Sequence, residues 1–365
     1  MWHDRVKIER LSPGVGRRIL VVSDIHANLG YFEGALKKAA FDPVRDELVI
    51  AGDFLEKGRD NLAVLEKIME MVKEGHTHVL SGNCDTWAEL FKWGAEADSK
   101  LLQYFRYRRS GLIWEMSRDL GFDLMTTDEL GPVKEKLFEA YPEHWVFLSD
   151  LPAVIESEHY IFAHSAVLPG KALEEHTGQE VMKTDMFYNL GYSFPKWVIV
   201  GHTPVCLYTE KLVRANPLTD RERKIVSIDG GCVLKDDGQL NVLIIPFEGS
   251  EDFSWVYYDG FPEREVLDSQ EESADSYYIR WGDSEVEVLE RGEEFSHCRH
   301  LRTGYEMDIL TKYLFTGEKV TRCNDCTDYV LPLRPGDRVS VVEECSRGYF
   351  VKHNGISGWY YGRLK

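Results

Sequence analysis

Six residues of metal-ligand type stand at comparable places in this 365-residue chain: Asp24, His26, Asp53, Asn83, His164 and His202. Each follows a short apolar run. Ile19 to Val22 leads into Ser23-Asp24-Ile25-His26-Ala27-Asn28. Leu48 to Ala51 leads into Gly52-Asp53-Phe54-Leu55-Glu56-Lys57-Gly58, and Val79-Leu80 into Gly82-Asn83-Cys84-Asp85. Tyr160 to Ala163 ends at His164-Ser165, and Trp197 to Val200 at Gly201-His202-Thr203-Pro204. Three oxygen donors and three imidazoles suit Mn²⁺, Fe or Zn²⁺. A carboxylate such as Asp53 can bridge two divalent cations about 3.5–4 Å apart, the spacing of two-metal hydrolysis, in which the cations activate a water and neutralise a phosphoryl oxygen. Taken singly, each residue has an ordinary explanation, since Gly-Asp is common in turns and a lone buried histidine is usually hydrogen-bonded. Six donors at strand ends in this order point to one centre.

The apolar runs lack polar alternation, which is how parallel strands buried on both faces read. In open α/β sheets, ligands gather at the carboxyl ends of such strands. Residues 1–18 form a lead-in with an edge strand over Val6 to Leu11. Leu29, Phe32, Leu36 and Ala40 recur at helical spacing after the first turn, and Leu62, Leu65, Met69 and Val72 after the second, with Gly75 as the stop. Residues 86–144 are rich in Trp, Tyr and Phe and read as a helical insertion over the rim of the site. Within it, Arg106, Arg108 and Arg109 alternate with Phe105 and Tyr107, either as a solvated helix face or as contacts for a phosphate or base. A second half-sheet follows at Ala153-Val154-Ile155, Tyr160 to Ala163, Trp197 to Val200, Lys224 to Ile228 (ending at Asp229-Gly230-Gly231) and Leu240 to Ile245.

A net charge of −19 argues against non-specific binding to nucleic acid or to an anionic membrane. It leaves room for a small phosphorylated substrate, because bound cations would dominate the local field. No leader and no run of about 18 apolar residues is evident. Seven scattered cysteines do not suggest a disulfide framework, so a cytoplasmic location is expected. Cys323-x-x-Cys326 lacks a second pair and reads as a turn with two small thiols.

Residues 248–275 carry ten Asp and Glu against the single Arg264, so 248–279 is expected to be an acidic connector. Beyond it lie short strand-like runs with a weak repeat at an offset of 44. Leu289, Gly292, Ser296, Gly304 and Tyr305 match Leu333, Gly336, Ser340, Gly348 and Tyr349. Two small β-modules are expected, over 280–316 and 317–365.

The order D-x-H, G-D-x-x-x-[KR]-G, G-N-x-[DE], A-H, G-H-T-P and I-D-G-G resembles the calcineurin-like metallophosphoesterases. The likeness is greatest to the bacterial and phage PPP-type branch of Ser/Thr phosphatases and symmetrical diadenosine tetraphosphatases, and covers about residues 18–247. It implies a four-layer αββα sandwich. It also implies that Asp24 and His26 bind one cation, Asp53 bridges, and Asn83, His164 and His202 bind the second, with manganese as the expected metal. Asn354-Gly355-Ile356-Ser357-Gly358-Trp359-Tyr360 resembles the closing strands of bacterial SH3-like domains, with Tyr313-Leu314 as the counterpart in the first module.

The sequence departs from the PPP pattern where that pattern has Asp-Arg and His-Glu. Glu56-Lys57 and Cys84-Asp85 stand there instead. The family's histidine protonates the leaving alkoxide, a task for which a thiol is unsuited. Lys57 keeps a positive charge but not the fork of arginine. No Arg lies between His164 and His202, where Lys183 is the stand-in for a second phosphate-binding arginine. G-N-C-D is similar to phosphodiesterase-like members of the superfamily.

The expectation is therefore an α/β metallophosphoesterase domain over 1–247 followed by SH3-like modules. It would hydrolyse a phosphate ester or anhydride on two divalent cations, the alternatives being a phosphodiesterase or a non-catalytic scaffold. Lys57, Asp85, Glu56 and Cys84 are the expected catalytic residues. Asn28, Lys57, Lys183, Arg106, Arg108 and Arg109 are the expected contacts to a phosphorylated small molecule, nucleotide or phosphopeptide, and a peptide or cell-wall fragment is expected at the tail. Asp229 is expected beside the metals, not on them.

Overall fold

The computed structural model describes residues 6–91, 95–317 and 320–365, which form two compact units. The first unit comprises Met1–Pro204, Pro217–Leu234 and Gly238–Tyr258. Its first seven strands are β1 (Ile8–Arg10), β2 (Arg18–Val22), β3 (Asp46–Ala51), β4 (Thr77–Leu80), β5 (Val154–Glu156), β6 (Tyr160–Ala163) and β7 (Trp197–Val200). One sheet runs in the order Ser254–Tyr258, Leu240–Ile245, β2, β3, β4, with β2, β3 and β4 parallel. The other runs β1, β5, β6, β7, Ile225–Ser227, Leu218–Asp220, and β6, β7 and Ile225–Ser227 are parallel.

Strand alternation explains the unbroken apolar runs. Ile19, Val21, Val49 and Ala51 meet Ile155, Phe162, Ile199 and Val226 between the two sheets. Leu20, Val22, Leu48 and Ile50 turn outward and are covered by α1 (Leu29–Lys38) and α2 (Asn61–Glu74) through Phe32, Ala35, Val64, Leu65 and Ile68. Every position in these strands is thus a core position. The outer face of the second sheet has a thinner cover. Val181, Met182 and Phe187 lie on Val154, Ile161, Val198 and Val200, supplied by the short helix Gly178–Met182 and a 3₁₀ turn at Phe187–Leu190.

The expected helical insertion is present and runs on to Asp150. It contains α3 (Trp87–Leu90), α4 (Ala95–Arg108), α5 (Leu112–Asp119), α6 (Leu130–Ala140) and α7 (Pro142–Asp150), with α8 (Gly178–Met182) later in the chain. Its anchor is Glu56. Glu56 Oε1 accepts from Trp87 Nε1 at 2.8 Å and from the Leu112 N–H, the first of α5, at 2.9 Å. In return, Glu115 of α5 accepts from the N–H groups of Asn61 and Leu62 at 3.0 and 2.8 Å, the open start of α2. The turn before α2 therefore caps α5 and α5 caps α2, each with a glutamate, satisfying N–H groups that have no partner within a helix. Gly111 makes the approach possible: its φ is +110°, and a Cβ there would lie 2.5 Å from Glu56 Oε2.

The second unit comprises Val205–Asn216, Lys235–Asp237 and Asp259–Lys365. It holds two five-stranded sheets, in the orders Glu306–Leu310, Phe295–His300, Glu285–Glu290, Thr321–Cys323, Leu314–Thr316 and Glu263–Glu265, Arg338–Cys345, Gly348–His353, Ile356–Tyr360, Val213–Arg214. The offset-44 repeat corresponds to the hairpin 295–310 in one sheet and 338–353 in the other. The third strands diverge. Ile356–Tyr360 pairs with Gly348–His353, whereas Leu314–Thr316 pairs with Thr321–Cys323. Strand 321–323 thus belongs with the first module, not the second. The acidic stretch is not a free connector either. Ser254–Tyr258 extends the first unit's sheet, and Glu263–Glu265 pairs with Arg338–Ser340. Glu263 and Glu265 stand on that edge strand, and Glu251, Asp252, Glu271, Glu272 and Asp275 are exposed in the loops on either side, which gives the composition of a linker to a partly paired segment. Among the described residues, no helix is long and apolar enough to cross a membrane.

Burial raises the Glu56 carboxyl to about 7, against the lowering influence of its Leu112 and Trp87 hydrogen bonds. A carboxyl with a raised folded value costs stability once ionised. The cost is absent below about 4.5, grows as pH rises to about 7, and is then constant at up to about 3 kcal/mol. Glu56→Gln retains an acceptor without the charge. The variant is expected to match the wild type in urea unfolding at pH 5 and to exceed it at pH 8; parallel stability–pH curves would contradict this.

Candidate metal centre

The loops after β2, β3, β4, β6 and β7 converge at one end of the facing sheets. Asp24, His26, Asp53 and His164 are buried there, at most 3% exposed. Of the fourteen non-glycine residues with positive φ among the described residues, seven lie in these turns: Asp24, His26, Ala27, Asp53, Glu56, Lys57 and His202. Each costs on the order of 1–3 kcal/mol and persists only where surrounding contacts hold it. Gly82 and Gly201 let the turns close up. A Cβ on Gly82 would lie 2.2 Å from Asp53 Oδ1, and one on Gly201 2.2 Å from Asp24 Oδ2.

Hydrogen bonds orient each imidazole. His26 Nδ1 faces the Leu55 carbonyl at 3.3 Å, and His164 Nδ1 the Ala51 carbonyl at 3.0 Å. With Nδ1–H donating to those carbonyls, Nε2 of each ring is the nitrogen left to face the cluster, carrying a lone pair in the neutral ring. His164 Nε2 lies 3.3 Å from Asp53 Oδ1, and the His202 ring is 5.0 Å from the His164 ring. The His202 backbone N–H donates to Asp24 Oδ2 at 3.0 Å, tying the fifth loop to the first. Asn83 sets its carboxamide 2.9 Å from His202 Nδ1. Asp53, His164 and His202 offer ligand atoms within 4.8 Å of one another, as do His26, Asp53 and Cys84.

The donors fit a cation. His26 Nε2 and Asp24 Oδ1 are buried with no hydrogen-bond partner. Unpartnered buried donors and acceptors are costly unless something binds them. Electrostatics show the same deficit of positive charge. Burial, then the neighbouring Asp229, pushes the Asp24 carboxyl well above the usual carboxylate range. Burial alone would lower His164, but the Asp53 carboxylate outweighs it and raises the imidazole to about 10. Burial lowers His26 to about 4, the neutral form a ligand requires. Asp229 accepts from the Gly231 N–H at 2.7 Å and closes its own turn beside the cluster.

Several expected catalytic and substrate residues have other work. Asp85 is no proton donor: its Oδ2 accepts from the N–H groups of Asp53 and Gly82 at 2.7 and 2.8 Å, and Oδ1 from that of Leu55 at 3.0 Å. Glu56 faces Trp87 and α5. Asn28 is the N-cap of α1, its Oδ1 accepting from the Tyr31 N–H at 3.2 Å. Arg106 donates to the Leu124 and Thr127 carbonyls and holds the insertion together. Arg109 is exposed and bonds the Arg106 carbonyl at 3.2 Å. Arg108 faces the site, its charge lowering both Glu56 and Tyr104. Lys57 is close enough to lower His26, Glu56 and Cys84, and Lys183 to lower His202. Burial, then Asp53, pushes the Cys84 thiol up.

Two residues went unnoticed in the sequence. Asp185 places Oδ1 2.9 Å from His202 Nε2, and Tyr104 joins Arg108 where the insertion nears Glu56 and Cys84. An acid between the two histidines was a signal of sorts for Asp185, but nothing in its spacing singled it out.

Replacing Asp85 by Asn turns one acceptor into a donor facing backbone N–H groups. The expected loss is about 1–3 kcal/mol or more in denaturant unfolding, the penalty for an unsatisfied buried group, together with weaker divalent-cation binding by calorimetry. An unchanged midpoint would show that the carboxylate does not hold the turns.

A calcineurin-like phosphoesterase family model matches residues 17–206. No curated protein matches the chain in sequence. Solved structures similar to this one include a candidate diadenosine tetraphosphatase, 19% identical over 70% of this chain and 100% of that one, with a TM-score of 0.46. A protein serine/threonine phosphatase from Saccharomyces cerevisiae is 11% identical over 70% of this chain and 84% of its own, with a TM-score of 0.44. A cold-active protein-tyrosine phosphatase of a Shewanella species is 13% identical over 68% and 82%, with a TM-score of 0.41. The matched span covers more than half of the 365 residues and contains all six strand-end donors, and the chain belongs to the calcineurin-like phosphoesterase family.

Proposed function

We propose that this chain is a divalent-metal-dependent phosphoesterase that favours leaving groups able to depart as stable anions, namely phosphoanhydrides, aryl esters and diesters. The reading is carried by the buried, unpartnered His26 Nε2 and Asp24 Oδ1 at the point where two sets of ligand atoms converge on Asp53. Asp24, His26 and Asp53 would hold one cation, and Asp53, Asn83, His164 and His202 the other. Cations bound there supply a nucleophile from water at neutral pH and neutralise charge on phosphoryl oxygens.

The protein's own groups do the positioning. The Leu55 and Ala51 carbonyls hold two imidazoles in the ligating tautomer, and Asp185 steadies His202. Lys57, Lys183 and Arg108 lend positive charge around the cluster, where a phosphate would enter. Arg108 is the one residue of the arginine triplet suited to the substrate, because Arg106 is committed to carbonyls and Arg109 is exposed. Preference for a good leaving group follows from the carboxyls. Glu56 Oε1 and both oxygens of Asp85 accept from N–H groups, so these carboxyls serve as anchors for the turns and not as acids aimed at an alkoxide.

The test is kcat/KM over phosphate esters and anhydrides of graded leaving-group pKa, for wild type and variants with and without chelator. Aryl esters and anhydrides are expected to exceed alkyl monoesters by about 10²–10⁴-fold, the contribution a positioned acid makes. Asp53→Asn should lower turnover at least about 100-fold, beyond what loss of a supporting contact costs. Arg108→Ala should raise KM roughly tenfold, about 1.4 kcal/mol of binding, whereas Arg106→Ala should lower stability instead. Chelator-resistant activity would overturn the metal-dependent reading, and a flat leaving-group profile would reveal another acid.

A further inference from the structure

We infer that Cys84 is itself a metal ligand, its thiolate joining His26 and Asp53 around one cation; this rests on the metal-dependent reading above. Sγ of Cys84, a ring nitrogen of His26 and a carboxylate oxygen of Asp53 all lie within 4.8 Å of one another. One cation placed among them could reach all three. The cysteine is pinned there, since its backbone N–H donates to Asp53 Oδ1 at 2.7 Å. A second observation comes from His26. Its Nδ1 is engaged by the Leu55 carbonyl, and its buried Nε2 has no hydrogen-bond partner, the unbonded Asp24 Oδ1 standing 3.8 Å away. A 1%-exposed imidazole with an idle lone pair beside a thiol and a carboxylate is a donor set awaiting a cation.

The chemistry separates this role from the others open to a cysteine. As an acid for the leaving group, the thiol lacks a carboxylate or imidazole available to orient it: Glu56 and Asp85 are engaged elsewhere, and the neighbouring Asp53 and His26 are ligands to the cation in this reading. As a ligand it needs neither. The S–H proton passes to solvent as the sulfur–metal bond forms, with no change of oxidation state. Thiolate is a soft donor, so one such ligand among carboxylates and imidazoles shifts preference from Mn²⁺ towards Zn²⁺, Co²⁺ or Cd²⁺. Without it, the six oxygen and nitrogen donors suit Mn²⁺, Fe or Zn²⁺.

The experiment uses the full chain, freed of metal by a chelator and titrated with Co²⁺. The wild type is expected to show visible ligand-field bands together with a near-ultraviolet thiolate-to-cobalt charge-transfer band. Cys84→Ser should lose the charge-transfer band and keep the ligand-field bands. In the same pair of proteins, Cd²⁺ affinity by calorimetry should fall by about 10–100-fold, at least what an outer-shell partner contributes, while Mn²⁺ affinity stays as it was. Ligand-field bands in the wild type without a charge-transfer band would overturn the inference and leave the metal centre standing. A charge-transfer band that survives Cys84→Ser would also overturn it, assigning the thiolate to another cysteine. Absence of cobalt binding in both proteins would overturn the metal-dependent reading along with it.

Discussion

The centre depends on a clasp between the ends of two adjacent parallel strands. Asp85, in the turn after β4, collects the N–H groups of Asp53, Leu55 and Gly82, and Asp53 in turn accepts from the N–H of Cys84. The turn after β3 could not hold its shape alone, since Asp53, Glu56 and Lys57 all take left-handed backbone angles. Hydrogen bonds to a charged acceptor are worth roughly 1.5–3 kcal/mol each, comparable to the strain of those residues. The glycines at 52 and 82 allow the contact, because the two turns approach too closely for a Cβ on either. What emerges is a rigid floor on which Asp53 and Cys84 are placed by the backbone before any ligand arrives.

Charge is the second organising constraint. Asp24, Asp53, Asp85 and Asp229 are buried within one small region. Burial first, and then their mutual repulsion, displaces Asp24 and Asp85 upward, while the Asp53 carboxylate outweighs burial to raise the imidazole of His164. A proton on His164 stands in for part of the missing positive charge. Carboxylates buried at this density are sustained by cations or by protons, and the unpartnered atoms of His26 and Asp24 favour cations. The family's dependence on divalent metals thus has a local physical counterpart in this chain.

The departures at Glu56-Lys57 and Cys84-Asp85 form a coherent exchange. Glu56 has left the reaction zone to cap α5, and Glu115 of α5 caps α2 in return, so the insertion is fastened to the same turn that carries Asp53. Arg108 and Tyr104 at the end of α4 are thereby brought near Cys84. A carboxylate in this turn instead fastens the helical insertion to it.

The sequence alone determined the strand ends and the six donors on them. Both faces of β2, β3, β6 and β7 are buried, so each strand carries an uninterrupted apolar run, and the turn that follows is marked by a residue of ligand type: Asp24, Asp53, His164 or His202. These are local signals. Only the tertiary structure decided what Glu56, Asp85, Asn28 and the three arginines do, because a buried carboxylate or guanidinium goes where partners are. Glu56 finds its partner N–H 56 residues away, and Asp85 finds Leu55 30 residues away. Asp185 gains its role only when the loop before β7 reaches His202. The second unit drew strands and contacts from Val205–Asn216 and Lys235–Asp237, which no change in composition marks. Periodicity is written residue by residue along the chain, whereas the satisfaction of buried polar groups is settled between segments that meet only after folding.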